Sequence, residues 1–138
     1  MRATDSATEL WTLLSQVMMA RRGHTLAIAA ELGLSPPQMW ALRHLESETP
    51  LPMSTLAGLL HCDNSNVTGI VDRLEARGLV ERRPAAHDRR VKHLHLTAAG
   101  TELRGQVGER MAETPEAFAR LDASEQQQLV ALLRKIAM

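Results

Sequence analysis

The sequence predicts a mainly α fold with a minor β component: a winged helix-turn-helix with a two-stranded β-wing, extended by helices at both chain ends. Three observations predict it. Apolar residues recur at helical spacing through most of the chain. Two short alternating runs between residues 79 and 96 flank a charged tip. The helix before them carries one polar face built only of small side chains. The chain has 138 residues, of which 44% are apolar, with 8 Gly and 6 Pro, a composition that supports one domain (1–138) with a real core and excludes disorder.

Residues 6 to about 32 read as the first helix. Ser6-Ala7-Thr8-Glu9 has the capping-box pattern at its start, and Leu10, Leu13, Leu14, Val17 and Met18 form one stripe expected to be buried. Gly23 allows a bend or break, and Gly33 ends the segment. Ser35-Pro36-Pro37-Gln38 combines an N-cap serine, prolines in the first turn and a glutamine at the third helical position. A second helix is therefore expected to run to about Ser47, with Met39, Leu42 and Leu45 pointing inward. Thr49-Pro50-Leu51-Pro52 reads as a connector, because its prolines lack the donors to continue a helix. A short third helix follows over about Met53–Leu60, with Leu56, Leu59 and Leu60 as its core face.

His61-Cys62-Asp63-Asn64 supplies turn formers, and Asp63 or Asn64 can cap a fourth helix that stops at Gly78. Val67, Ile70, Val71 and Leu74 make its apolar stripe; Ser65, Asn66, Thr68, Gly69, Asp72 and Arg73 make the opposite face. Leu79–Arg83 and Val91–Leu96 form the hairpin around Pro84–Arg90. Thr97 caps a helix through Leu103, Val107 and Met111, which Pro115 kinks or splits. Asp122-Ala123-Ser124-Glu125 caps a last helix bearing Leu129, Leu132, Leu133 and Ile136.

Composition narrows the function. Lys+Arg and Asp+Glu number 16 each, so attraction to nucleic acid has to come from a local patch, and a polybasic chaperone is excluded. One cysteine, Cys62, builds neither a disulfide framework nor a thiolate zinc site. No signal run or membrane span is present, so a cytoplasmic protein with no membrane partner is expected. Tyr is absent and Phe118 is the one Phe, which argues against a base-stacking platform for single strands. No nucleophile elbow, glycine-rich phosphate loop or paired carboxylates suggest an enzyme, and no cofactor or metal is expected.

The local patch exists. Residues 82–95 hold Arg82, Arg83, Arg89, Arg90 and Lys92 against one acid, Asp88, with His87, His93 and His95 alongside. A compact cationic tip beside a small polar helix face is the footprint of duplex DNA contact. Leu56-Ala57, Val67-Thr68, Val71-Asp72-Arg73-Leu74-Glu75, Gly78-Leu79-Val80-Glu81-Arg82-Arg83, Asp88-Arg89-Arg90 and Leu96-Thr97-Ala98-Ala99-Gly100 come in order within Leu51–Gly100. Together they resemble the MarR/SlyA family of bacterial winged-helix regulators.

The resemblance implies a transcriptional regulator, most often a repressor. It implies a homodimer whose first and last two helices intertwine (6–33 and 101–138) around DNA-binding modules (34–100) that read a pseudo-palindromic site. Apolar stripes at both chain ends independently favour a partner surface. The resemblance makes the fourth helix the recognition helix, in which Asn64, Ser65, Asn66 and Thr68 offer amides and hydroxyls to base edges or phosphates, and Arg73 suits phosphate. Helix capping is an alternative role for Asn64 and Ser65. Where family members often carry a larger, cationic residue, this chain has Gly69. The Asp88-x-Arg90 arrangement implies an arginine in the minor groove oriented by the carboxylate, with Arg89 as the alternative. Arg82, Arg83 and Lys92 are further phosphate contacts. A small-molecule effector is expected between the dimerisation helices and the module, where Trp11, Met18, Trp40 and His44 are the first wall candidates; all four also suit a core. Two other readings stand beside this one: a winged-helix protein-docking module without DNA binding, and a thiol sensor using Cys62.

Overall fold

The computed structural model describes residues 3–137. Its elements run α1 (Ala3–Glu31), α2 (Pro36–His44), β1 (Leu51–Pro52), α3 (Met53–Leu59), α4 (Asn64–Ala76), β2 (Val80–Pro84), β3 (Lys92–Leu96), α5 (Ala98–Met111), a 3-10 turn (Glu116–Arg120) and α6 (Ala123–Ile136). α1 starts earlier than its capping pattern predicts. It is already helical at Ala3, so Ser6–Glu9 lies inside the helix and does not start it. It also passes Gly23 unbroken, since one glycine costs only about 1 kcal/mol against a long hydrogen-bonded ladder. Gly33, at φ +70°, ends it, and the Gly33 and Leu34 amides donate back to Ala30 and Ala29.

Ser35 caps α2 as expected: its hydroxyl accepts from the Gln38 amide at 3.3 Å, while its own amide donates to Gln38 Oε1 at 3.1 Å. The helix stops at His44, earlier than the predicted Ser47. Leu45 turns to an extended conformation (φ −87°, ψ 142°) that drops its side chain into the core, and Glu46 bridges to Thr49 just beyond. The connector after it contains a strand that the prolines concealed. Leu51 pairs with Leu94 and Pro52 with His93, giving a three-stranded antiparallel sheet in the order β1-β3-β2. Proline is tolerated there because β1 is an edge strand.

The core gathers Ile28 from α1, Met39, Leu42 and Leu45 from α2, Leu56 from α3, Val67, Val71 and Leu74 from α4, Val80 and Leu94 from the sheet, and Val107 from α5, each at 1% exposure or less. Leu59, expected inside, is 43% exposed. Leu56 and Ala57 occupy the buried side of α3, and Leu59 turns into a groove beside Trp40. The wing closes on α5 through Thr97, whose hydroxyl donates to the Gly78 carbonyl at 2.5 Å and accepts from the Gly100 amide at 3.0 Å. At Gly100 the backbones approach so closely that a Cβ would lie 2.0 Å from the Leu79 carbonyl oxygen. Only glycine fits.

Pro115 splits the C-terminal segment: α5 ends at Met111, and a 3-10 turn precedes α6. Asp122 and Glu125 form the expected box at the start of α6. The stripe predicted to be buried in the N-terminal half of α1 is largely open within this chain: Leu10, Leu13, Val17 and Met18 are exposed and Leu14 is half-buried, with Trp11 exposed beside them. Leu129, Leu132, Leu133 and Ile136 of α6 are exposed as well. The 3-10 turn borders one side of each stripe, sharing a cavity with Leu13 and Val17 of α1 and another with Leu129 and Leu133 of α6, and leaves these apolar side chains exposed. Among the described residues, no helix is long and apolar enough to cross a membrane.

Candidate nucleic-acid interface

The turn between α3 and α4 is tight because His61 takes a left-handed conformation (φ +53°) and the Cys62 amide donates to the Ala57 carbonyl at 3.1 Å. Asp63 then caps α4. Its Oδ1 accepts from the Asn66 amide and the Ser65 hydroxyl, both at 2.8 Å, and these two bonds hold the Asp63 carboxyl below the usual aspartate range. Capping thus falls to Asp63. Asn64, Ser65, Asn66, Thr68 and Arg73 are all exposed on the first turns and outer face of the helix. Thr68 donates its hydroxyl to the Asn64 carbonyl at 2.8 Å, so what it offers outward is an acceptor and a methyl group.

The wing is a two-stranded extension with Val80 opposite Leu96 and Pro84 opposite Lys92. Its tip is fixed by backbone bonds from Ala85 to Val91 (2.8 Å) and from Val91 to Asp88 (3.1 Å), and by burial of Ala85. Asp88 Oδ1 accepts from the Arg90 amide at 3.0 Å and meets its Nε at 3.4 Å, while 94% of the Arg90 side chain is open to solvent. Arg89 and Lys92 are exposed beside it. Arg83 is exposed but pairs along its own strand face with Glu81 at 2.6 Å.

Arg82 differs from the other wing cations. Strand alternation puts it on the side of buried Val80, and its guanidinium turns inward to α4. Nη1 donates to Glu75 Oε1 at 2.9 Å, and Nη2 reaches the Thr68 carbonyl at 3.3 Å and the Asp72 carboxylate; the Arg82 amide adds a bond to Glu75 Oε2 at 3.0 Å. A second arginine, Arg77, was not singled out in the sequence. At the C-terminus of α4 it donates to the Gly33 carbonyl at 2.8 Å and the Leu32 carbonyl at 3.3 Å, satisfying the free end of α1. Its position next to Gly78 signalled only a helix end.

The histidines stand along the wing. His87 and His93 rings lie 6.1 Å apart. His95 is held below the ordinary histidine range by burial first, and then by the neighbouring charges of Arg83 and His93. Among the described residues, no group of three or more His, Cys, Asp or Glu is placed to hold a metal ion.

The four effector candidates separate in space. Trp40 and His44 line an open cavity of about 650 Å³ with Leu59, Cys62, Asn66 and Arg73, so this cavity abuts the outer face of α4. Met18 shares a second cavity of about 490 Å³ with Trp40, Arg21, Arg22 and Leu26. Trp11 is 63% exposed farther along α1. Cys62 is partly buried, packed against the core, and its thiol is free.

A small polar helix end, a buttressed cationic wing and a short three-stranded sheet define a winged-helix DNA-binding protein. Residues 34–92 match the MarR family, and the chain belongs to it. It is 35% identical to the transcriptional repressor MprA of Escherichia coli over 107 residues, covering 75% of this chain and 61% of that one. The YusO protein of Bacillus subtilis superposes with a TM-score of 0.81 at 26% identity, over 99% of this chain and 98% of that one. Wild-type MarR from E. coli superposes with a TM-score of 0.77 at 25% identity, over 92% and 95%. The chain is a DNA-binding transcriptional regulator.

Proposed function

We propose that the chain acts as a homodimeric, ligand-responsive repressor on a pseudo-palindromic operator. The N-terminal end of α4 enters the major groove, where Asn64, Ser65 and Asn66 meet base edges or phosphates and Arg73 meets phosphate. Arg90 reaches into the adjacent minor groove with Asp88 orienting its base, and Arg89, Arg83 and Lys92 lie along the backbone. The observation that carries this reading is the wing tip, where an almost wholly exposed guanidinium stands on a backbone pinned by its own Asp88. A flexible solvated arginine needs no such anchor.

Dimerisation follows from the two open apolar stripes on α1 and α6, which a second copy covers with the same residues. Ligand response is assigned to the cavity under Trp40 and His44, because an occupant there presses on Asn66 and Arg73 of the DNA face. MprA, a repressor by name, supports the sign of regulation.

Selection of duplexes from a random pool tests the reading. The expected product is two half-sites about 10–10.5 bp apart or a multiple of that, with affinity falling steeply with salt. Recovery of no duplex, or salt-insensitive association, favours the protein-docking alternative.

A further inference from the structure

We propose that Arg82 is a positioning residue for DNA recognition: it fixes the angle between the wing and α4, so that Arg90 and the α4 N-terminus engage one duplex together. The proposal rests on the duplex-binding reading above and refines it.

The geometry differs from that of a phosphate contact. The side chain of Arg82 is only 23% exposed, and its two terminal nitrogens are engaged by Thr68, Asp72 and Glu75. These three residues sit at i, i+4 and i+7, a single stripe spanning two turns of α4. A planar guanidinium bridging such a stripe resists both sliding and rotation of the helix against the strand, which a single ammonium does not. Glu75 also takes the Arg82 main-chain amide, so strand and side chain are gripped together.

The joint lies at the base of a lever. From Arg82 to the Asp88–Arg90 tip the wing extends on the order of 15 Å at strand rise, so a tilt of about 10° displaces the tip by roughly 2–3 Å. That exceeds the tolerance of about 0.5 Å within which a contact has to be held. Asp72 and Glu75 also place negative charge on the helix that faces DNA, a liability unless they serve Arg82.

Asp72→Asn gives the sharpest test, since electrostatics alone and positioning predict opposite signs. Removing a negative charge near phosphate tightens binding if Asp72 is only surface charge; loosening the joint weakens it. Using a duplex selected by the wild-type chain, fluorescence anisotropy is expected to show weaker binding for Asp72→Asn, Arg82→Gln and Arg82→Lys, the last two by about tenfold. The slope of log affinity against log salt is expected to fall by about one for Arg90→Ala and for Arg82→Gln, whose misplaced tip withholds Arg90, and to fall no further when the two are combined. In an Arg82→Gln background, Arg90→Ala is expected to cost less than it does alone, because the tip is already misplaced.

Tighter binding by Asp72→Asn, a further fall in salt slope when Arg90→Ala is added to Arg82→Gln, or additive Arg82 and Arg90 losses overturns the positioning role and leaves duplex binding intact. Failure of the wild-type chain to retain any duplex overturns both. Circular dichroism melts accompany each variant. Should Arg82→Gln not fold, Asp72→Asn and Glu75→Gln interrogate the same joint from the helix side.

Discussion

In α2, Met39, Ala41 and Leu42 are sealed from solvent by helices of the same chain, whereas in α6 the equally apolar Leu132 and Ile136 stand 58% and 64% exposed. Both helices carry a capping box at their start, and both have apolar residues at helical spacing. The difference lies in what covers them. Periodicity reports which face of a helix avoids water; it does not report whether the cover belongs to the same polypeptide. The winged module is covered within the chain, with Ile28 of α1 and Val107 of α5 closing its core, and the outer faces of α1 and α6 require another surface, which the proposed dimer provides.

The largest test of this contrast is Leu132→Glu combined with Leu133→Glu. Within one chain the two positions are already open, so the helical signal should persist. In the proposed dimer, each buried leucine contributes about 1.5–3 kcal/mol, and two charges at each of two symmetric places abolish association. Sedimentation is expected to move from twice 15.2 kDa to 15.2 kDa. An unchanged sedimenting mass defeats the assignment of α6 to the interface.

Leu42→Ala probes the other region. Truncating a fully buried leucine costs about 2–5 kcal/mol, read as a lower melting temperature whose size does not depend on protein concentration. A shift that vanishes at high concentration would mean that the module, too, leans on a partner. Arg90→Ala touches neither core nor stripe, and is expected to weaken duplex binding by about 1–3 kcal/mol with no change in melting.

The smallest effects come from pH. Asp63 has its carboxyl lowered by the Asn66 amide and then the Ser65 hydroxyl, so its capping contribution is complete above the ordinary aspartate value and is lost as pH falls through the lowered one. His95 is lowered mainly by burial. The unfolded chain therefore binds that proton first, and stability declines as pH drops below the ordinary histidine value, levelling off below the folded one. Melting curves between pH 7.5 and 5 are expected to show this modest decline, and His95→Gln should flatten it.

Much of the winged module was legible because its signals are local. Ser35 with Gln38, Asp63, Thr97, Gly33 and Gly78 each act within four residues, and each holds its predicted place. The wing strands were legible from alternation alone. What escaped depends on distant partners. β1 exists only because Leu51 meets Leu94, 43 residues away, and α2 ends early because Leu45 has a core to enter. Ser6-Ala7-Thr8-Glu9 misled, because a capping pattern inside a helix cannot be distinguished from one at its start. The exposed polar end of α4 and the Asp88–Arg90 tip were readable as chemistry. The inward turn of Arg82 was not, since its three acceptors lie on another element and their convergence is set by strand twist and register.

Arg77 is one place where the two regions meet. By tying off the carbonyls of Leu32 and Gly33, it fastens the end of α4 to the end of the 29-residue α1. Because the fastening is a pair of side-chain bonds between helix ends, the heading of α4 is tied to that of α1 as a rudder is to its tiller.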